Sequence, residues 1–194
     1  MRIFWGLLFI SSLNLKCQDI YFPNSIKSIG FGSCNRIDLD QKIWDVIANQ
    51  PMNAWVWLGD IVYTEGEKMD DLALKYSIQK SLPAYRKLSS KTNIFGIWDD
   101  HDFGKNDGGS EFRKKHQSRD LLFDFLDLSN DHPARSRNGA YQSYCFGVER
   151  QKVCLYLLDV RYFKEEYEKD LGLKQRYKKN NGSLLGEEQW RWLE

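Results

Sequence analysis

The sequence predicts an α/β fold in which buried strands alternate with amphipathic helices. Residues 53–58 and 93–98 are short, dense apolar runs, and each stops abruptly at a polar, acid-bearing segment, as strands in the middle of a sheet do. Between these two runs, Met69, Leu72 and Tyr76 recur at helical spacing. The composition agrees with this fold class, because 42% of the residues are apolar and 28% are charged, which excludes a disordered or collagen-like chain.

The other elements follow from the same two periodicities. A helix begins after Asp40, and its apolar face is formed by Ile43, Trp44 and Ile47, with Val46 at the margin. The charged segment 165–181 has little apolar periodicity and is expected to be a surface loop. Strands are expected over 25–31, 139–146 and 152–160, and helices over 69–80, over 110–128 with Ser110 as the cap, and over 184–193.

The charge balance argues against nucleic acid as a specific partner. The chain has 28 Lys and Arg residues against 27 Asp and Glu residues, so its formal net charge is +1. A protein that holds nucleic acid through its phosphates needs a concentrated basic surface, and no such surface is indicated.

The N-terminus is typical of a secretory signal peptide over residues 1–17. Arg2 supplies a positive start, and the apolar run that follows from Ile3 to Ile10 is too short to span a bilayer. The alternative is a buried first strand. No later segment is apolar enough to cross a membrane, so we expect a secreted or lumenal protein, in which Asn181-Gly-Ser183 would be a glycosylation acceptor.

Two cysteines flank a predicted hairpin turn at Glu149-Arg150. If the strands pair around that turn, Cys145 lies directly opposite Cys154, and an oxidising compartment would allow a disulfide there. Glu-Arg is a poor two-residue turn, so two small apolar strand residues without a bridge remain the alternative.

Acidic residues follow three of the predicted strands, at Asp60, at 99–102 and at Asp159. The carboxyl ends of strands in α/β sheets are where ligands bind. An acid in the Gly59-Asp60 pair could simply cap the next turn. The run Asp99-Asp-His-Asp102 is less ordinary, because its carboxylates repel one another unless a divalent cation lies between them; a solvated acidic turn is the alternative.

Two further side chains could reach the same cation. Cys34 follows a glycine turn at a strand end, and Tyr63 comes three residues after Asp60. Each has a simpler interpretation, a structural thiol for the cysteine and an interfacial aromatic for the tyrosine. Thiolate, phenolate and carboxylate together would suit a strongly Lewis-acidic ion better than calcium alone.

The order of these motifs resembles the alkaline phosphatase D (PhoD-like) family of the metallophosphatases. The resemblance extends from about Ser28 to Glu194. It rests on five segments in order, Phe31-Gly-Ser-Cys-Asn35, Trp57-Leu-Gly-Asp-Ile-Val-Tyr63, Ile97-Trp-Asp-Asp-His-Asp-Phe-Gly-Lys-Asn-Asp107, Leu158-Asp-Val-Arg161 and Leu185-Gly-Glu-Glu-Gln-Trp-Arg-Trp-Leu193.

The resemblance implies a four-layer sandwich, in which two mixed β-sheets lie face to face with helices outside, over residues 25–194. It also implies a phosphoesterase with two metal ions, iron(III) and calcium, although other divalent ions fit the pattern. By motif, the iron would be bound by Cys34, Asp60 and Tyr63, the second ion by Asp60 and Asp100 with Asn106 as a weaker candidate, and the phosphate would be contacted by His101 and Arg161.

One departure from the family concerns the C-terminal side. The family continues to a second sheet and to a Gly-Asp-x-His-type motif that supplies more histidine ligands, whereas this sequence stops inside a helical pattern and is expected to hold about half of the sandwich. We therefore expect an incomplete sandwich and an uncovered apolar face at 54–58. The leading function is hydrolysis of phosphate mono- or diesters. The alternative is a secreted binding protein that keeps the scaffold without catalysis.

Overall fold

The computed structural model describes residues 19–172, 176–179 and 181–194, so the predicted signal peptide and Cys17 lie outside the described residues. In this part of the chain six strands form two three-stranded sheets, so the second sheet, expected only beyond Glu194, is already present. The first sheet has the order β1-β5-β6, with β1 parallel to β5 and β6 antiparallel to it, and the second has the order β2-β3-β4 and is parallel throughout. The strands are β1 Ile20–Phe22, β2 Ile29–Gly32, β3 Ala54–Leu58, β4 Asn93–Ile97, β5 Gln142–Phe146 and β6 Val153–Leu157.

Six α-helices connect or flank these strands in the described part of the chain. They are α1 Ile43–Ile47, α2 Met69–Ser81, α3 Pro83–Ser89, α4 Asp100–Phe103, α5 Lys115–Phe125 and α6 Gly186–Leu193. Two short 3₁₀ turns occupy Pro133–Ser136 and Glu149–Gln151.

Aromatic rings join the two sheets face to face. Phe95 of β4 contacts Phe22, Tyr144 and Phe146 of the other sheet, with ring centroids 6.1, 4.2 and 5.7 Å away. The side-chain amide of Gln142 adds a buried hydrogen bond to the carbonyl of Gly96. The apolar faces of both sheets therefore form one shared core.

Helices cover the outer face of each sheet. Because side chains alternate along a strand, Trp55 and Trp57 point away from Phe95 and pack against Trp44 of α1. On the other sheet, Trp192 of α6 lies 6.0 Å from Tyr156 of β6, between ring centroids. The order of layers is helix, sheet, sheet, helix. The predicted α/β class with two sheets flanked by helices is confirmed.

The hairpin β5–β6 has the predicted pairing but a longer connection. The last pair is Phe146 with Val153, and the 3₁₀ turn replaces the expected two-residue turn at Glu149-Arg150. Cys145 still lies opposite Cys154, and the two form a disulfide.

Several sequence expectations were wrong in detail. The helix expected over 110–128 is confined to α5, because residues 110–114 form turns before it. The helix α3 was not expected, and Pro83 occupies its first turn, where the missing N–H leaves no hydrogen bond unmade. Ile43 and Val46, expected on the buried face of α1, are exposed.

The apolar run in β3 is not left uncovered as expected. Ala54, Trp55, Val56 and Trp57 are at most 5% exposed, since α1 and the facing sheet cover both sides of the strand. Leu58 alone in this run is 50% exposed. The expected uncovered face is therefore reduced to one side chain.

Candidate metal centre

The three parallel strands β2, β3 and β4 end at one edge of their sheet. The register pairs Gly32 with Trp57 and Leu58 with Ile97, so the segments that follow these residues leave the sheet side by side. Cys34 and Asp60 then turn back through left-handed backbone conformations, with φ of 56° and 50°. This edge therefore gathers side chains that are far apart in the sequence.

Asp60 is the centre of the cluster at this edge. Its Oδ2 atom accepts hydrogen bonds from the thiol of Cys34, at 3.7 Å, and from the phenol of Tyr63, at 3.1 Å. Its Oδ1 atom accepts from the backbone N–H of His101 at 3.3 Å. The thiol, the phenol and the carboxylate that the sequence singled out are thus brought to one oxygen atom.

Burial sets the protonation of this group. It raises the pKa of the Asp60 carboxyl, against the opposing effect of the hydrogen bonds from Tyr63 and His101. Burial also raises the pKa of the Tyr63 phenol, and the neighbouring Cys34 and Asp60 raise it further. The phenol therefore keeps its proton while no cation is bound, and its O–H group donates a hydrogen bond to Asp60.

The donor set fits a cation at this point. Two protons, on Cys34 and on Tyr63, point at the same carboxylate oxygen of Asp60. A multivalent cation placed there would replace both protons and gain three anionic ligands.

A second group shares Asp60. Asp60, Asp100 and His101 each present one ligand atom, and these atoms lie within 4.8 Å of one another. Asp100 is buried, and its Oδ2 accepts from the backbone N–H of Asp107 at 2.8 Å. The ring of His101 stacks against Tyr63 with centroids 4.2 Å apart. Asp60 is therefore common to both possible metal-binding groups.

Arg161 lies beside this second group. Its Nε donates to Asp99 at 2.6 Å, and its Nη2 lies 3.9 Å from Asp100 Oδ1. The arginine side chain is 14% exposed. Its hydrogen bond to Asp99 orients the guanidinium group, and Nη2 faces the cluster.

Two predicted residues are not drawn into the cluster. Asn106 is exposed, and its side-chain amide donates to Asp107 instead. Asp159 is fully buried, and its carboxylate accepts from the indole N–H of Trp98 and from the amides of Ala140, Arg161 and Tyr162. Asp159 therefore follows a strand, as Asp60 does, but its carboxylate is not part of the cluster.

Asp102 has a role that the sequence analysis missed. It is fully buried and accepts hydrogen bonds from the backbone amides of Asp60, Ile61 and Asp99. Burial raises its pKa to about 8, although these amide hydrogen bonds oppose the rise. A signal was present, because Asp99 and Asp102 have the spacing of a capping box, in which the fourth residue turns back to the first.

A cavity of about 370 Å³ opens beside His101 and Tyr63. Its charges are paired locally, since Arg36 binds Asp38 and Lys75 binds Asp71. The cavity is lined by Arg36, Ile37, Asp38, Tyr63, Thr64, Glu65, Lys75 and His101. A small polar group bound at the cluster would have room here.

Comparison with solved structures finds a similar chain whose title is "Structure of PhoD". The two chains are 16% identical and superpose with a TM-score of 0.63, and the alignment covers 88% of this chain and 39% of that one. This chain has a PhoD-like fold. At such low identity the likeness shows the fold alone, and the chain spans about two fifths of the length of the structure that it matches.

No protein-family model matches the sequence, and no curated protein does either. In the part of the chain that the structure describes, none of the helices has the length and apolar character needed to cross a membrane.

Gly59 allows the segments that follow β3 and β4 to approach each other closely, and a substitution at Gly59 tests this approach. Its φ is +98°, and a Cβ atom there would lie 2.5 Å from the backbone N of Asp99. We expect Gly59→Ala to lower the free energy of unfolding by about 2–5 kcal/mol, from the left-handed backbone and the collision together. Urea denaturation followed by tryptophan fluorescence measures this change.

Gly66→Ala is the matched control. Gly66 also has a positive φ, of +67°, but no atom lies within 4 Å of its hypothetical Cβ. It should cost only about 1–2 kcal/mol, which is the backbone contribution alone. Equal losses in the free energy of unfolding would show that the segments after β3 and β4 do not approach closely enough to exclude a Cβ atom.

Proposed function

We propose that the chain is part of a metal-dependent phosphoesterase that hydrolyses phosphate mono- or diesters through a two-metal site. The observation that carries the proposal is the sharing of Asp60 between the Cys34 and Tyr63 group and the Asp100 and His101 group. A carboxylate placed between two sets of ligands is what a bridged pair of cations needs. The PhoD-like fold supports the same reaction class.

The ligand chemistry suggests how two ions would be divided. Cys34, Asp60 and Tyr63 would hold iron(III), because thiolate and phenolate favour a strong Lewis acid. Asp60 and Asp100 would hold calcium, which prefers carboxylate oxygen, with Asn106 joining only if its exposed loop moves inward. When bound, the ions would activate a water molecule and neutralise charge on the phosphate.

The chain's own residues would do the remaining work. His101 lies beside the cluster and faces the 370 Å³ cavity, so it can donate a proton to the oxygen of a leaving alcohol that occupies that space. Arg161, oriented by Asp99, can direct its outer N–H groups at phosphate oxygens. The substrate would be a small phosphate ester.

The shared carboxylate gives the first test of this function. Asp60→Asn should lose both metals and the hydrolysis of nitrophenyl phosphates together, since a neutral amide cannot bridge two cations. Iron and calcium bound per chain are measured by elemental analysis after loading and desalting, beside turnover. Asp70→Asn, an exposed acid in the first turn of α2, is the control and should keep both.

Full metal occupancy in Asp60→Asn would contradict the bridging role. Metal binding by the unaltered chain that is lost in Asp60→Asn, without any turnover, would favour the alternative of a non-catalytic binding protein on the same scaffold.

His101 gives a test that separates chemistry from metal binding. As a proton donor, His101→Asn should keep the metals but slow esters of alkyl alcohols by roughly 10²–10⁴-fold. Nitrophenyl esters should be much less affected, because nitrophenolate leaves without a proton. Turnover of both esters is measured with metal content in the same sample. Equal loss for both esters, together with metal loss, would make His101 a ligand instead.

We also propose that residues 1–17 are a signal peptide, that residues 25–194 form a PhoD-like metallophosphatase domain, and that the protein is secreted or lumenal. The disulfide between Cys145 and Cys154 supports an oxidising compartment, and Asn181 of the Asn-Gly-Ser acceptor is exposed.

Expression of the full chain in a eukaryotic secretory host tests this location. We expect secretion and a glycan on Asn181, seen as a mass decrease after treatment with an N-glycosidase. Ser183→Ala should abolish the glycan, and Ser183→Thr, which keeps the hydroxyl acceptor, should retain it. A chain that stays inside the cell without a glycan would contradict the proposed location.

A further inference from the structure

Asp102 ties together the two loops that carry the candidate metal ligands. Its Oδ1 accepts from the backbone N–H of Asp60 at 3.1 Å and from that of Asp99 at 2.8 Å, and its Oδ2 accepts from the N–H of Ile61 at 3.0 Å. The hydroxyl of Tyr76 lies 3.5 Å from the same Oδ2. All four contacts are made by N–H or O–H groups, so both oxygens of Asp102 act as acceptors.

These contacts fix the peptide from which the Asp60 side chain projects. Asp60 has a left-handed φ of 50°, which aspartate tolerates only at a cost unless the surroundings hold it. Asp102 binds the amides of Asp60 and of Ile61, on both sides of the Asp60 Cα. In return, Asp60 Oδ1 accepts from the backbone of His101. The exits of β3 and β4 are thus joined in both directions.

We propose that Asp102 is a positioning residue for the bridging carboxylate Asp60, holding it at the point where Cys34, Tyr63 and Asp100 converge. The proposal rests on the proposed function, since the consequence is tighter binding of the cations. Asp102 itself points away from the cluster and binds backbone only, apart from Tyr76. Its effect on a metal ion is therefore exerted through Asp60.

Asp102→Asn is the sharpest change because it keeps the shape and replaces one acceptor oxygen by an NH₂ group. That NH₂ group faces N–H donors wherever it is placed, so at least one of the three amides loses its partner. The loops should then open more often, and Asp60 should be less well aimed.

Asp159 offers a matched control of the same chemistry. Its carboxylate is also fully buried, and it accepts from the amides of Ala140 at 2.8 Å and of Tyr162 at 2.9 Å and from the indole of Trp98 at 2.9 Å. It contacts neither Asp60 nor Ile61 among its hydrogen-bond partners. Asp159→Asn should therefore destabilise the fold to a similar extent while leaving the Asp60 loop tied.

The experiment has two readouts on the full chain, amide hydrogen exchange and Co²⁺ affinity by calorimetry. In Asp102→Asn, exchange should be at least about tenfold faster at Ile61, or at Asp60 and Asp99, according to which oxygen the NH₂ group replaces. Co²⁺ affinity should fall about 10–100-fold, the usual effect of losing a partner behind a ligand. In Asp159→Asn, exchange should quicken instead at Ala140, or at Arg161 and Tyr162, and Co²⁺ affinity should stay within about threefold.

Each result tests a separate part of the proposal. Unchanged exchange at Asp60 and Ile61 in Asp102→Asn would overturn the positioning role. Faster exchange with unchanged Co²⁺ affinity would overturn its link to the metal. If Asp60→Asn binds Co²⁺ as well as the unaltered chain does, the proposed function fails, while the exchange data still decide whether Asp102 fixes the loop.

A second variant applies if Asp102→Asn does not fold. Tyr76→Phe removes the hydroxyl group 3.5 Å from Asp102 Oδ2, so the Asp102 side chain is held less firmly. Exchange at Asp60 and Ile61 should rise, and unchanged exchange at both amides would count against the network.

Discussion

The shared edge where β2, β3 and β4 end is the constraint on which the rest of the candidate site depends. Parallel strands in register release their chains at one place, and the segments after β2 and β3 then bend sharply within about two residues. The positive φ values at Cys34, Gly59 and Asp60 are part of that bend. A sheet with offset strand ends would carry the same residues but would not place a thiol and a phenol on one carboxylate oxygen.

Burial of the acids at this edge costs free energy, which hydrogen bonds from other groups have to offset. Asp60 relies on a thiol, a phenol and one amide, whereas Asp159 and Asp102 rely on backbone amides and neutral side chains. Backbone amides cannot give way to a cation, so Asp159 and Asp102 have a structural role. Cys34 and Tyr63 carry groups that can themselves bind a cation, so Asp60 is the buried acid whose partners can serve as ligands beside it.

The sequence was sufficient to predict the fold class and most strands, because these depend on local apolar runs that are visible without coordinates. The family resemblance singled out Cys34, Asp60 and Asp100, which lie at one edge of the sheet. The residue pattern alone did not separate Asp100 from Asp102, which look equivalent in an acidic run. On the short helix α4 they lie two positions apart and so point to nearly opposite sides, one towards the cluster and one into the core.

Other misses have non-local causes. Asp159 ends a strand as expected, but its partner Trp98 lies 61 positions away and the buried indole N–H needs an acceptor. The start of α5 was placed too early because a serine cap can be read at Ser110, whereas Ser110 N donates to the carbonyl of Lys164 in a turn. Neither contact produces a periodic pattern in the sequence from which it could be predicted.

The position of β1 in its sheet has a consequence for the order of folding. Ile20 of β1 pairs with Tyr144 of β5, across more than a hundred intervening residues, whereas β2, β3 and β4 come from one continuous stretch. During synthesis the parallel sheet can close long before β1 has a neighbour, because closing a loop of that length is slow compared with local pairing. We therefore expect β1 to dock late, onto the hairpin formed by β5 and β6.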